Sequence, residues 1–214
     1  MRLRTAAGAF QRLHREELPR WIGETAKSVR PPEATEGICE GLVYFLLAEA
    51  QQMAVGKALA GSAGAGKAPP PPTLLAKLCL GVAAQLESCV GTMRSKGGMG
   101  YSNLDPTFLV HVTLVSEVYR AMAYRFLAIH AWSQDRFGTG VALMREAVKH
   151  LSERRDITSV GVPKLEAGGP LTSLAPALQT LRREFQQLQS NYLADNNKVY
   201  YDPVPATADL DPLP

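Results

Sequence analysis

"AYRFLAIHAWSQDRFGTGVALMREAVKHL", residues 123–151, decides the fold. Ala123, Phe126, Leu127 and His130 recur at spacings of three and four, the signature of one apolar helix face. "SQDRFGTG" at 133–140 breaks that period, and Val141, Met144, Val148 and Leu151 take it up again. Two helices joined by so short a break fold back on each other. No part of the stretch alternates as a strand would.

The same period extends in both directions. Upstream, Leu109, Val112 and Tyr119 continue the first helix back to Asp105-Pro106, a cap followed by proline at the first helical position, where its missing N–H costs nothing. Before it, Thr73 reads as the N-cap of a helix carrying Leu75, Leu78, Val82, Leu86, Val90 and Met93. Earlier still, Cys39, Leu42, Val43, Leu46, Ala50, Met53, Ala54 and Lys57 form a stripe of more than four turns. Pro19 interrupts the first helical pattern, which predicts a kink or restart near Leu18. Downstream, Leu174, Leu178, Leu181, Phe185, Leu188 and Tyr192 alternate at four and three in a helix from about Ser173, a period suited to lengthwise packing. After about Asn196, four prolines predict an extended tail pinned by Val199, Tyr200 and Val204. The expected fold class is all-α, with loops at 61–72 and 154–170.

Composition narrows the function. Hydrophobic residues at 46% and charged ones at 20% are ordinary globular values. The longest dense apolar run, Leu42 to Ala48, is far shorter than the roughly 18 residues of a membrane-spanning helix. The basic N-terminus resembles a transit peptide, but Glu16 and Glu17 arrive too early for one. A net charge of +3 permits peripheral contact with an acidic membrane surface or partner, and it is not a nucleic-acid footprint. Cys79 and Cys89 on one helix would stand about 15 Å apart, too far for a disulfide. Free buried thiols point to a reducing compartment, the cytosol.

"GSAGAGKAPPPP" at 61–72 has the Gly61…Gly66-Lys67 spacing of a phosphate loop. Such a loop joins a strand to a helix and ends in Ser or Thr. Here it follows a helix, Ala68 takes the hydroxyl position and four prolines forbid the next helix; no nucleotide or other cofactor is expected. His14, His111, His130 and His150 have no partner at i+3 or i+4, so no metal site is expected, and they read as surface or half-buried residues. Glu146 and Glu184 read as solvated. No nucleophile motif appears. The chain is therefore not expected to be an enzyme, and no residue is assigned a catalytic role. Tyr124, Ala128, Gly138, Ala142 and Ala147 fall at spacings resembling a tetratricopeptide hairpin, which favours a protein-binding scaffold.

Five stretches in order resemble the BRO domain, the module of Alix and related endosomal-sorting proteins. They are "AAGAF" at 6–10, "LLAEAQQMAVGKA" at 46–58, "LLAKL" at 74–78, the hairpin at 123–151 and "NNKVYYDPVP" at 196–205. Glu49 and Gln52 depart from the family's Leu-Ala-Gln-Ala-Gln-Glu signature. "RPPEAT" at 30–35 resembles short, plant-type, stand-alone members, and no Cys-a-a-X motif ends the chain. The resemblance implies an elongated helical scaffold over 1–205, the C-terminal portion of the domain, with its first two-fifths absent and 206–214 as tail. It implies an adaptor recruited from the cytoplasm to endosomes, where it docks the C-terminal amphipathic helix of an ESCRT-III subunit. The matching groove positions are Ala54, Lys57, Leu74 and Leu78, with Lys57 available to acidic residues on the incoming helix. Ala54 is smaller than the aromatic of some relatives. The alternative is a degenerate or oligomeric structural protein that lacks the groove. Because Tyr44, Phe45 and Leu47 point away from the stripe of Leu42, Val43 and Leu46, that helix needs cover on all sides. Without the missing part, Phe45 or Tyr44 is expected in an exposed patch that drives self-association.

Overall fold

Asp105 starts a helix as its sequence requires: its Oδ1 accepts the Thr107 N–H at 2.8 Å, and Pro106 occupies the first turn. The computed structural model describes residues 2–21, 31–64, 68, 70–156, 158–210 and 213, without the side chains of 62–64. The described residues form seven α-helices and no strand. These are α1 (Arg2–Arg12), α2 (Glu36–Gly64), α3 (Pro72–Lys96), α4 (Met99–Ser102), α5 (Pro106–Ser133), α6 (Phe137–Leu151) and α7 (Ala175–Asp195). The chain divides into two compact units, residues 1–56 with 81–116, and 57–80 with 117–214. Arg30 and residues 65–67 and 69 of the expected 61–72 loop lie outside the described residues; helix α2 itself runs on through Gly64.

In the first unit, α1 gives way to a π turn at Leu13–Glu17 and a 3-10 turn at Leu18–Arg20. Pro19 explains both, because a regular α-helix would drive its ring into the carbonyl four residues back, and leaving the α-helical turn avoids the clash. Helices α2 and α3 run antiparallel here: Gly37 faces Lys96, Gly41 faces Met93 and Gly81 faces Gln51. Lys96 also pairs with Glu40 at 2.8 Å. A Cβ on Gly37 or Gly41 would overlap atoms of the facing helix, so these glycines set the close approach.

The buried line of α2 differs from the expected stripe. Ile38, Cys39, Gly41, Ala48 and Val55 are buried, whereas Met53, Ala54 and Lys57 are exposed. A helix apolar on most sides carries a period but no phase, so spacing alone chose the wrong line. Phe45 and Tyr44 are also not the exposed residues expected. Both are half-buried and pack, together with Tyr101, Leu104 and Phe108, against the cluster of Ile38, Cys89 and Met93. Phe45 meets Phe108 edge to face at 5.3 Å. Phe108, at the start of α5, thus covers part of Phe45 from within the unit.

Helix α3 begins at Pro72, one residue before the expected Thr73 cap. The Pro71 carbonyl accepts the N–H groups of Leu74 and Leu75 at 3.0 and 3.2 Å, and Pro72 takes the first helical position. By length and composition α3 is also apolar enough to cross a membrane, which the longest-run criterion missed. Much of that apolarity is spent on the core: Leu75, Ala76, Cys79, Val82, Ala83, Leu86, Cys89 and Met93 are all buried.

The second unit is built on α6. Val141, Met144, Ala147 and Leu151 are buried, together with Glu146 and His150. Helix α7 packs along α6, and its Leu178 and Phe185 are buried. Residues 154–170 contain no helix among those described, but the segment is tied down: Val162 is buried and exchanges hydrogen bonds with Ser152 and Arg154. After α7 the chain does not turn extended at once. A π turn over Asn196–Tyr200 ends at Tyr201 in the left-handed region (φ 53°), because no proline intervenes before Pro203. Val199 is 63% exposed and pins nothing, while Tyr200 stacks on Phe137 with centroids 3.5 Å apart and Val204 is half-buried.

Candidate functional site

The four positions expected to form a docking groove lie on two consecutive helices. Ala54 and Lys57 are three residues apart on α2, and Leu74 and Leu78 are four apart on α3, so each pair shares one helix face. Ala54 belongs to the first unit and the other three to the second. Leu74 is 48% exposed although it adjoins the fully packed Leu75 and Ala76; Leu78, one turn on, is half-buried. Leu74 therefore stands outside the core stripe, while Leu78 flanks it. Ala54 and Lys57 are exposed. Gly66 and Lys67 of the phosphate-loop spacing are outside the described residues, and Gly61 sits in the last turn of α2.

Spacing missed the polar interior of the second unit. Glu146 is buried rather than solvated: its Oε1 accepts the Thr207 hydroxyl at 2.7 Å and its Oε2 lies 3.3 Å from Lys149 Nζ. One turn on, His150 is buried too, with Nδ1 2.6 Å from Glu117 Oε2 and its ring stacked on Tyr124. Burial, then the Glu146 charge, pushes the Tyr124 phenol above its ordinary pKa. A signal for this cluster was present, since Glu146 and His150 are four apart on the face of α6 that also carries Ala142. Glu184 is exposed, as read. Among the described residues no three His, Cys, Asp or Glu side chains gather to hold a metal ion.

The small residues of the hairpin divide in purpose. Ala128, Ala142 and Ala147 are buried. Gly138 instead admits the tail: its N–H donates to Asp202 Oδ2 at 2.7 Å, and the Pro203 carbonyl lies where a Cβ would stand. Asn196 fixes that approach, its amide bonded to both the N–H and the C=O of Asp202. Helix α6 has no side-chain cap of its own at Arg136, so Asp202 caps it from 64 residues away. At the other end, Arg182 Nε donates to the Leu151 carbonyl at 2.5 Å.

The family model for the BRO1-like domain matches residues 2–214. The chain belongs to that family. Among solved structures, the ALIX BRO1 complex with CHMP4C aligns with a TM-score of 0.74 at 18% identity, covering 99% of this chain and 50% of that one. ALIX in complex with the SIVmac239 PYKEVTEDL late domain gives 0.75 at 18% identity, covering 99% and 26%. A structure solved as the basis for endosomal targeting by the Bro1 domain gives 0.71 at 18%, covering 99% and 53%. This BRO1-like chain thus spans about half, or a quarter, of the chains it matches. At 18% identity the likeness shows the fold. No curated protein sequence matches.

Proposed function

We propose that this BRO1-like chain is a non-enzymatic adaptor of endosomal sorting, recruited from the cytoplasm to endosomes. It holds the C-terminal amphipathic helix of an ESCRT-III subunit against Ala54, Lys57, Leu74 and Leu78. The observation that supports this reading is Leu74, a leucine left 48% exposed beside a fully packed core line. An incoming apolar face that covers the exposed half of such a leucine gains roughly 1 kcal/mol, about half the value for a full burial. Exposed Lys57 gives acidic residues of the incoming helix a cation to meet.

The test is titration calorimetry with a synthetic ESCRT-III C-terminal peptide. Leu74→Asp should weaken binding by about tenfold or more and leave the melting temperature unchanged, because the native side chain is half outside the core. Unchanged binding would remove Leu74 from the interface. The second reading, an oligomeric structural protein, draws on the exposed apolar surface of Val199 and Tyr201. Sedimentation showing a stable oligomer, together with no peptide binding, would favour it.

A further inference from the structure

Arg125, on α5, holds its guanidinium 5.4 Å from the centre of the Phe185 ring of α7. Its Nε is sealed from solvent without a hydrogen-bond partner. Among the described residues the side chain has no ion pair either. A guanidinium keeps its proton, and Arg125 is half-buried at the edge of a cleft, so an incoming acceptor would meet its outer amino groups, the sealed Nε being out of reach. Such a group calls for an acceptor.

A cleft of about 600 Å³ opens beside it, lined by Arg125, Arg183, Glu184, Phe185, Leu188 and Asn191. Arg183 is exposed and also unpaired among the described residues. Gln187 donates to the Asn191 side-chain carbonyl at 2.9 Å, which leaves the Asn191 NH2 as a further donor. Two guanidinium groups against the single Glu184 carboxylate leave the cleft one positive charge in surplus. A carboxylate matches the forked donors and, as a monoanion, that surplus; Glu184 opposes any anion, and a phosphate dianion about twice as strongly. Phe185 and Leu188 offer an apolar wall beside the donors.

We propose that this cleft binds a carboxylate carried next to an apolar group, as at the end of a peptide that finishes in leucine. It uses none of the four groove residues, so it stands apart from the docking reading. The probes are N-acetyl-leucine, its neutral amide N-acetyl-leucinamide, and inorganic phosphate, added to the whole 15N-arginine-labelled chain. The Arg125 Nε–H resonance, assigned by its loss in Arg125→Lys, reports the site. N-acetyl-leucine should shift it saturably at millimolar concentration, the amide should not, and phosphate should shift it less. Arg183→Gln, a change at an exposed position, should weaken N-acetyl-leucine binding about threefold or more at an unchanged melting temperature. If Arg125→Lys fails to fold, the Arg183→Gln titration decides. No shift, an equal shift from the amide, tighter binding of phosphate, or an Arg183→Gln variant that binds as before would each overturn the proposal.

Discussion

Gly138 sits where the tail crosses the start of α6, and a methyl group there would meet the Pro203 carbonyl. Backbone cannot swing aside as a side chain can, so Gly138→Ala should destabilise the protein by about 1–3 kcal/mol in urea unfolding. Gly91, inside α3, has nothing within 4 Å of the same added carbon. There, alanine should stabilise by up to about 1 kcal/mol, since glycine is the poorer helix former. The opposite signs of two identical substitutions make the comparison specific to packing. The cysteines allow a pH prediction. Burial pushes the Cys79 and Cys89 thiols up to about 12, and burial plus the Glu33 charge pushes Cys39 to about 11, from 9.0. The folded state thus binds these protons more tightly than the unfolded state. That contribution is complete below pH 9 and is lost as pH rises toward 12. Urea midpoints measured from pH 8 upward should fall beyond pH 9, and fall less in Cys89→Ala.

At the scale of the element, α6 is finished by parts of the chain that follow it. Asp202→Ala removes its N-terminal cap and should cost about 1–2 kcal/mol, with the faster amide exchange confined to the first turn of α6. Exchange spread evenly over the unit would mean that Asp202 does something other than cap. This helix and α5 before it also show what sequence reading can reach. The start at Asp105, the break before Phe137 and the buried Val141, Met144 and Leu151 were legible, because each follows from a local pattern of three to eight residues. The buried face of α2 was not, since Leu42 to Leu47 is apolar on every side. Glu146 was misread as solvated because its partner, Thr207, is 61 residues away. For the proposed docking residues, the family resemblance suggested positions, but the contrast between exposed Leu74 and half-buried Leu78 needed the packed neighbours. The cleft beside Arg125 joins α5 to α7 and has no local signature at all.

At the scale of the whole chain, the expected apolar exposure at Phe45 is answered from within. If Phe108 and its neighbours are the cover, the intact protein should bind little hydrophobic dye, and Phe108→Ala should bind more, since its loss uncovers the Phe45 ring. Strong dye binding by the unaltered chain would show that this cover does not hold. The remote cap on α6 has a last consequence, for synthesis on the ribosome. The helix is translated 64 residues before the aspartate that closes its first turn. Throughout that interval the Gly138 N–H lacks its acceptor, and the hairpin waits with one end uncapped. Closing so wide a ring is entropically slow to repay. The tail therefore acts as a completion signal: the hairpin reaches full strength only after residue 202 has left the exit tunnel.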